Sequence, residues 1–232
     1  MSETDMNATS TGRDDSYEFS IIPIEVPKIN TKYRKIITSI PSEDSVQIIN
    51  QLRQSEPDSM GLELPVVWDK AEDFQVYDAA GNCWIDFSSG TFVVNAGHRH
   101  PKICDAITET VKNNYLHNYY FPSKIRAKLV QKLCDMTPKN LDKVFLLTTG
   151  AEATECSIKL ARIFGRKTNP QKIGIISFIG AMHGKTLGAL MVGGKTKEKH
   201  WIVNHDPDMH HLPFPDISSD EKTFYDDLKN LE

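Results

Sequence analysis

The sequence has no long apolar run and little excess of either charge. Its 232 residues include 27 basic and 31 acidic side chains, for a formal net charge of −4, so electrostatics give no reason to expect nucleic acid as a partner. No apolar stretch approaches the roughly 20 residues that span a bilayer. The acidic N-terminus shows neither the apolar core of a signal peptide nor the composition of a mitochondrial transit peptide. We therefore expect a cytoplasmic protein without a membrane partner.

Cysteine is scarce, and the common nucleotide-binding fingerprints are missing. The four cysteines form no CxxC pair: Cys83, Cys104, Cys134 and Cys156. We expect buried or half-buried thiols rather than structural disulfides. Neither GxxxxGK[ST] nor GxGxxG occurs, which argues against P-loop and Rossmann sites. His98 and His100 form an HxH pair without a matching third ligand, so we expect no metal and interpret them as turn histidines that satisfy backbone groups.

Before residue 100 the pattern predicts a tail, an arm, a helix and a small sheet. Residues 1–17 are polar and are expected to be disordered. Residues 18–41 combine apolar side chains with several prolines, which predicts an extended arm that lies against the body or a second subunit. Ser42 is expected to cap a helix. Residues 64–88 alternate around a turn at residues 78–82, which predicts antiparallel strands.

From Pro101 onward, predicted helices alternate with continuous apolar strands. Helices are predicted from residue 101, over 123–136, over 153–166 and, as a short one, over 183–190. Strands are predicted over 143–148, 172–178 and 200–205. Such strands are typical of a parallel sheet that helices cover on both faces. The predicted fold class is therefore α/β, with a small α+β segment over 18–100 followed by part of a mostly parallel sheet over 101–232.

Residues 148–155 read TTGAEATE and stand between a predicted strand and a predicted helix. Gly150 allows a tight bend, and small Ala151 keeps a ligand's approach open. Unpaired N–H groups at the helix start favour an anion such as phosphate. The alternative is a helix capped by Thr149, with Glu152 adding favourable charge near its N-terminus. Taken alone, this stretch favours the capped helix.

Two further stretches place glycine-rich turns after apolar strands. Residues 177–186, SFIGAMHGKT, form a thin turn from which Met182 and His183 would project. That geometry suits stacking on a planar ligand, although a loop histidine and a core methionine explain it better when the stretch is taken alone. Residues 86–101, DFSSGTFVVNAGHRHP, place a polar turn after a strand and before a helix.

In this order and spacing the three stretches resemble the class III aminotransferases. These are enzymes of pyridoxal-phosphate fold type I, and they include ornithine, acetylornithine and 4-aminobutyrate aminotransferases. The resemblance runs from about Arg34 onward. VYDAAGNCWIDFSSGTFVVNAGHRHPKI resembles the family's N-terminal hairpin and substrate-side turn, TTGAEATECSIKLAR its phosphate cup, and SFIGAMHGKTLGAL its ring-stacking loop. The resemblance implies an incomplete type I fold, in which residues 101–232 are the first part of the cofactor-binding domain.

The resemblance assigns site residues position by position. The backbone amides of Gly150 and Ala151 would hold the phosphate of pyridoxal 5′-phosphate, and Thr149 would flank them. Met182 and His183 would lie in the ring-stacking loop, with Met182 where the family usually places an aromatic residue. A thioether offers less contact area than a ring, so cofactor affinity or reaction specificity is expected to differ. On the substrate side the resemblance places three residues: Ser89, Gly90 and Thr91.

The family's Schiff-base lysine and the carboxylate that pairs with the pyridinium nitrogen lie further along its chain than these residues reach. We therefore expect an N-terminal portion of an aminotransferase, without a catalytic residue of its own and with little turnover alone. The parent enzyme would be a homodimer that passes nitrogen from an amino donor to a keto acid or aldehyde. Two alternatives stay open: a truncated, non-catalytic module that binds a phosphate ligand or a subunit, and a generic α/β nucleotide-phosphate binder.

Overall fold

The computed structural model describes residues 19–57, 64–113, 120–215 and 221–229. The chain divides into two units, one that extends to Ser123 and one that starts at Lys124. The tail over residues 1–17 lies outside the described residues. The start of a cofactor-binding domain at residue 101 stays a prediction.

The N-terminal unit is built on a five-stranded sheet in the order β1-β2-β5-β4-β3. Its antiparallel strands are short: β1 (Ile29–Asn30), β2 (Lys35–Ile36), β3 (Lys70–Glu72), β4 (Gln75–Tyr77) and β5 (Cys83–Ile85). β4 and β5 form the hairpin predicted around residues 78–82. The arm supplies β1 and β2, and β2 pairs with β5 through Lys35 and Cys83. The arm is therefore extended, as predicted, and lies against the sheet.

Asn82 joins the arm to this hairpin. Its buried side chain accepts hydrogen bonds from the N–H groups of Ile37 at 2.8 Å and Thr38 at 3.2 Å. It donates to the carboxylate of Asp78 at 2.7 Å. A buried polar group left without partners costs about 1–3 kcal/mol. Asn82 therefore fixes both the turn and the arm.

α1 (Glu43–Ser55) starts at the predicted cap. The Ser42 hydroxyl accepts a hydrogen bond from the N–H of Ser45 at 3.4 Å. Glu43 and Asp44 lie in the first turn, where negative charge is favourable. The inner face of the helix buries Ile49 completely.

Two further elements follow β5 in this unit. A short helical turn, α2 (Ser89–Phe92), comes first. α3 (Pro101–Lys112) then starts with proline in its first turn, as predicted. No residue of α3 is buried, and Ile107 is 60 % exposed. Cys104 lies on this helix and is exposed, so the prediction of a buried or half-buried thiol is wrong for Cys104.

The C-terminal unit combines helices with a parallel pair of strands. Its elements are α4 (Lys124–Met136), α5 (Gly150–Thr168), β6 (Ile175–Phe178), α6 (Leu187–Val192), β7 (Met209–Leu212) and α7 (Glu221–Lys229). β6 lies within the predicted strand over 172–178 and pairs in parallel with β7, which the sequence did not predict. Arg162 on α5 donates to the carboxylate of Asp206 at 2.7 Å and to the carbonyl of Ile173 at 2.8 Å. None of the described helices is both long and apolar enough to cross a bilayer.

Two of the predicted strands are wrong. Residues 143–148 pair with no described residue, and Phe145 is 66 % exposed. A strand needs a neighbour's N–H and C=O groups, which an apolar sequence does not supply by itself. Residues 200–205 form turns after a short 3-10 helix at Thr196–Glu198, because the Ile202 N–H bonds back to the Lys199 carbonyl. The strand that pairs with β6 comes later, as β7.

Candidate functional site

The start of α5 carries the capping box that the sequence suggested as an alternative. The Thr149 hydroxyl accepts from the N–H of Glu152 at 3.2 Å. The Glu152 carboxylate in turn accepts from the N–H groups of Thr148 and Thr149, both at 3.0 Å. Such a cap stabilises a helix by about 1 kcal/mol. It explains Thr149 and Glu152, but it leaves the two residues at the tip of the helix unexplained.

The backbone N–H groups of Gly150 and Ala151 have no hydrogen-bond acceptor among the described residues. A Cβ built on Gly150 would meet nothing within 4 Å, so open space lies beside the helix tip. Unsatisfied N–H groups and the helix dipole favour an anion at such a place. The Glu152 carboxylate is occupied by the two N–H groups that precede Gly150. The donors and the space therefore fit a phosphate group.

The loop that carries Met182 and His183 lies against the first turn of α5. Thr154 donates its hydroxyl hydrogen to the His183 carbonyl at 2.8 Å. A Cβ on Gly184 would come within 2.7 Å of the Ala151 Cβ, so only glycine allows this approach. Gly184 also has a φ of +131°, which glycine adopts without strain. The structure thus brings the second predicted stretch beside the first.

Met182 and His183 occupy different surroundings within this loop. Met182 is 53 % exposed, which contradicts the alternative that it fills the core. His183 lines a cavity of about 400 Å³ whose other walls come from α5, β6 and Val192 of α6. The predicted short helix over 183–190 starts later, at Leu187, so Met182 and His183 are both loop residues.

A pair of glycines after α6 holds the opposite side of the same loop. Gly194 donates to the carbonyl of Ala181 at 2.9 Å and accepts from the N–H of Gly180 at 3.1 Å. A Cβ on Gly194 would collide with the carbonyl oxygen of Phe178. The local sequence pattern does not indicate this role of Gly194, whose one signal is its position in the Gly193–Gly194 pair.

Glu155 connects α5 to the start of α6. One of its carboxylate oxygens accepts from the Thr186 hydroxyl at 2.6 Å and from the N–H groups of Gly188 at 2.9 Å and Ala189 at 3.0 Å. The Thr186 hydrogen bond lowers the pKa of Glu155, burial opposes it, and the two N–H groups lower it further. This stabilisation is present above the ordinary carboxyl pKa and is lost as pH falls through the lowered value. No local pattern signals the contact, because Thr186 lies 31 positions away.

Replacing Glu155 by glutamine is expected to lower the free energy of unfolding by about 1–2 kcal/mol, since hydrogen bonds to a charged group are lost or weakened. Urea unfolding of the variant and the parent chain measures the difference. Glu198→Gln is the matched control, because it removes an exposed carboxylate paired with Lys195 at 3.2 Å and is expected to cost less than about 0.5 kcal/mol. Equal effects of the two variants would show that Glu155 does not anchor α6.

Lys199 has a structural role in the C-terminal unit. Its buried ammonium group donates to the carbonyls of Met191 at 3.0 Å and Gly193 at 2.7 Å, at the end of α6. Burial lowers the pKa of Lys199. His211 Nε2 lies 3.1 Å from the ammonium nitrogen. These contacts stabilise the C-terminal end of α6.

In the N-terminal unit, the predicted substrate-side residues form the turn α2. Four consecutive φ angles are positive: Ser89 50°, Gly90 59°, Thr91 64° and Phe92 70°. The ψ angles of Gly90 and Thr91 are 37° and 53°, so α2 is one turn of left-handed helix. The hydroxyl groups of Ser89 and Thr91 have no partner in the part of the chain that the structure describes.

A buried carboxylate anchors this turn. The Asp86 side chain is 3 % exposed, accepts from the N–H of Gly90 at 2.8 Å and pairs with His98 Nε2 at 2.8 Å. Burial raises the pKa of Asp86, but hydrogen bonds from Ser88, His98 and Gly90 outweigh it and lower the pKa to about 2. The stabilisation is fully present above the ordinary value of 3.8 and is lost as pH falls through about 2.

The interpretation of the HxH pair as backbone-satisfying turn histidines is wrong. The ring of His98 pairs with the Asp86 carboxylate instead. His100 precedes α3 without capping it, and its Nδ1 is buried without a hydrogen-bond partner among the described residues. Among the residues that the structure describes, no three His, Cys, Asp or Glu side chains lie close enough together to hold a metal ion. The Asp86 carboxylate that pairs with the His98 ring lies 12 positions earlier in the chain. The local sequence pattern therefore does not reveal this contact.

Comparison with known sequences gives one family and many relatives. The family model described as aminotransferase class-III matches residues 58–232. The acetylornithine aminotransferase of Methanopyrus kandleri is 35% identical over 164 residues, which are 70% of this chain and 41% of that protein. The chain therefore spans about two fifths of the length of this curated relative.

Comparison with solved structures also finds similarity to transaminases. A transaminase from the marine bacterium Virgibacillus superposes with a TM-score of 0.71 at 19% identity, over 80% of this chain and 44% of that one. At this identity the likeness shows the fold alone. The taurine:2-oxoglutarate aminotransferase of Bifidobacterium kashiwanohense, solved in complex with pyridoxal phosphate and glutamate, has a TM-score of 0.66 at 25% identity, over 80% of this chain and 43% of that one.

Proposed function

The chain is a member of the class III aminotransferases and has part of their α/β fold, and from that premise we propose that the whole protein to which it belongs catalyses transamination with pyridoxal 5′-phosphate. An amino acid or ω-amine is the donor, and a keto acid or aldehyde is the acceptor. The observation that carries the proposal is the pair of free N–H groups at Gly150 and Ala151. They lie beside the loop that carries Met182, where the family's stacking residue is expected.

The described residues have distinct parts in holding the cofactor. The N–H groups of Gly150 and Ala151 bind the phosphate, and Thr149 keeps the helix start in place through its cap. Met182 lies in the loop packed on the first turn of α5 and contacts the cofactor ring through its thioether. His183, in the same loop, borders the site. A flexible thioether gives a weaker contact than an aromatic ring.

When bound, the cofactor supplies an electron sink for the carbon that carries the amino group. The residues of this chain contribute binding and orientation. Ser89 and Thr91 present hydroxyl groups that donate to a carboxylate or carbonyl oxygen of the substrate, and Gly90 allows the turn between them. The acetylornithine of the relative's name and the taurine of the neighbour's name favour a donor whose amino group is distant from its acid or amide group.

Two measurements test the proposal. Titration of the chain with pyridoxal phosphate, followed by cofactor absorbance, is expected to saturate, and pyridoxal without phosphate is expected to bind much more weakly. The whole protein, loaded with cofactor, is then incubated with ω-amino donors one at a time. Conversion of the cofactor to its pyridoxamine form is expected with at least one donor. Absence of conversion with every donor contradicts transamination.

The second candidate function is a module that binds a phosphate ligand or a subunit without catalysis. The exposed apolar face of α3 and the exposed residues 145–147 favour it, because such surfaces suit a partner. Saturable cofactor binding together with no conversion by the whole protein supports this alternative. The homodimer implied by the resemblance and the cytoplasmic location expected from the sequence belong to the first proposal.

A further inference from the structure

The turn α2 concentrates backbone strain in the N-terminal unit. Its four residues all have left-handed φ angles, between 50° and 70°. Side chains with a Cβ oppose this conformation, and a β-branched residue such as Thr91 opposes it most. Glycine occupies only one of the four positions, Gly90. Local sequence preference therefore does not produce this turn, and another part of the structure must hold it.

The Asp86 carboxylate stabilises the turn α2 by accepting hydrogen bonds from it and from the residue before it. One oxygen accepts from the N–H of Ser88 at 2.8 Å and from its hydroxyl at 2.6 Å. The other accepts from the N–H of Gly90, within the left-handed turn, at 2.8 Å. The Ser88 hydroxyl then accepts from the N–H of Thr91 at 3.4 Å. These bonds reach the backbone of α2 at two points.

His98 connects that carboxylate to the sheet. Its Nε2 lies 2.8 Å from Asp86, and its ring meets Trp68 edge-on at 5.8 Å between centroids. Its backbone exchanges two hydrogen bonds with Asp73, at 2.7 and 2.9 Å, in the hairpin between β3 and β4. Gly97 permits the close approach, because a Cβ there would lie 2.8 Å from an Asp73 oxygen. The sheet therefore fixes His98, His98 fixes the Asp86 carboxylate through their hydrogen bond, and the carboxylate fixes the turn.

We propose that Asp86 and His98 are positioning residues that keep α2 left-handed and so present the free hydroxyl groups of Ser89 and Thr91 to the substrate. The pair is shielded from water, whereas the turn it supports is open, with Phe92 81 % exposed. Strained backbone that its surroundings hold in place is typical of functional sites. The substrate-facing part of this inference rests on the proposed function, and the part about the turn does not.

The test is hydrogen–deuterium exchange of the full chain, without cofactor, in the parent and four variants. Asp86→Asn is expected to raise the exchange rate over residues 87–95 by tenfold or more. Strands β3 to β5 are expected to stay within threefold of the parent. His98→Phe keeps a ring against Trp68 but removes the donor, and it is expected to raise exchange over 87–95 by threefold or more. His98→Phe leaves the Asp86 carboxylate in place. If Asp86→Asn does not fold, exchange over residues 87–95 in His98→Phe tests the proposal by itself.

A rescue separates positioning from general stability. Glycine adopts left-handed angles without support, so adding Thr91→Gly to Asp86→Asn is expected to return exchange over 87–95 to within threefold of the parent. Asp206→Asn is the control, since it breaks a partly buried ion pair with Arg162 in the C-terminal unit, and it is expected to leave residues 87–95 unchanged. Unchanged exchange over 87–95 in both Asp86→Asn and His98→Phe overturns the proposal. A rise that the glycine does not reverse also overturns it.

Cofactor titration of the same variants keeps this inference separate from the proposed function. Failure of the parent chain to bind pyridoxal phosphate contradicts the cofactor site and leaves the exchange result valid. Normal cofactor binding with an unaltered turn contradicts only the role of Asp86 and His98.

Discussion

Replacing Gly150 by aspartate is expected to weaken pyridoxal phosphate binding by about 100-fold or more, equal to about 3 kcal/mol. The new carboxylate projects into the open space beside the helix tip, where a Cβ meets no atom within 4 Å, and repels the phosphate there. The fold itself is expected to tolerate the change, because an acidic residue in the first helical turn is favourable by about 0.3–1 kcal/mol. Titration of variant and parent with the cofactor measures the difference in affinity.

The matched control is Asn140→Asp, which adds the same charge at an exposed turn of the same unit. It is expected to change cofactor affinity by less than about twofold, since exposed distant charges are screened by salt. Thermal unfolding of both variants shows whether the fold is retained. Cofactor affinity of Gly150→Asp within about threefold of the parent would exclude the helix tip as the phosphate site.

Replacing Gly184 by alanine is expected to lower the free energy of unfolding by about 2–4 kcal/mol, from overpacking and from strained backbone together. The added methyl group would lie 2.7 Å from the Ala151 Cβ and 3.0 Å from the Ala189 Cβ. The loop that carries Met182 must then move away from the first turn of α5. Cofactor affinity is expected to fall by about tenfold, because the proposed ring-contact residue Met182 would no longer adjoin the proposed phosphate site. Urea unfolding and cofactor titration provide the two values.

Gly180→Ala is the matched control for this prediction. Gly180 also has a positive φ, +82°, but a Cβ there meets nothing within 4 Å, so this variant reports strain without collision and is expected to cost about 1–2 kcal/mol. Adding Ala151→Gly to Gly184→Ala removes one of the colliding groups and is expected to restore part of the loss. Equal costs for Gly180→Ala and Gly184→Ala would mean that the loop does not pack on α5.

Local features of the sequence predicted those parts of the fold that depend on neighbouring residues. Ser42 caps α1 and Thr149 caps α5, because each accepts from an N–H group a few positions away. Pro101 opens α3 because a first-turn residue needs no N–H and proline's fixed φ suits a helix. The hairpin around residues 78–82 was predicted for the same reason. Strand pairing depends on distant residues instead. An apolar run predicted a strand over 143–148 that finds no partner among the described residues.

The candidate functional residues show the same contrast between local signals and contacts with distant residues. Gly150 and Ala151 were identified from a turn between a predicted strand and a helix, and their free N–H groups follow from helix geometry. In each unit, the long-range contacts that support the candidate residues could not be predicted from local patterns. Glu155 reaches Thr186 across 31 positions, and Asp86 reaches His98 across 12. A carboxylate buried for such a purpose looks, in sequence, like any other acidic residue.

The most direct test of the central claim is an NMR titration of the ¹⁵N-labelled chain with pyridoxal phosphate, inorganic phosphate and pyridoxal. The account predicts that the amide signals of Gly150 and Ala151 shift with the first two ligands and not with pyridoxal. In Gly150→Asp, the amide signals of residues 150 and 151 are expected to stay unperturbed at those concentrations. Saturable binding of pyridoxal phosphate that leaves both amides unshifted in the parent chain would contradict the account.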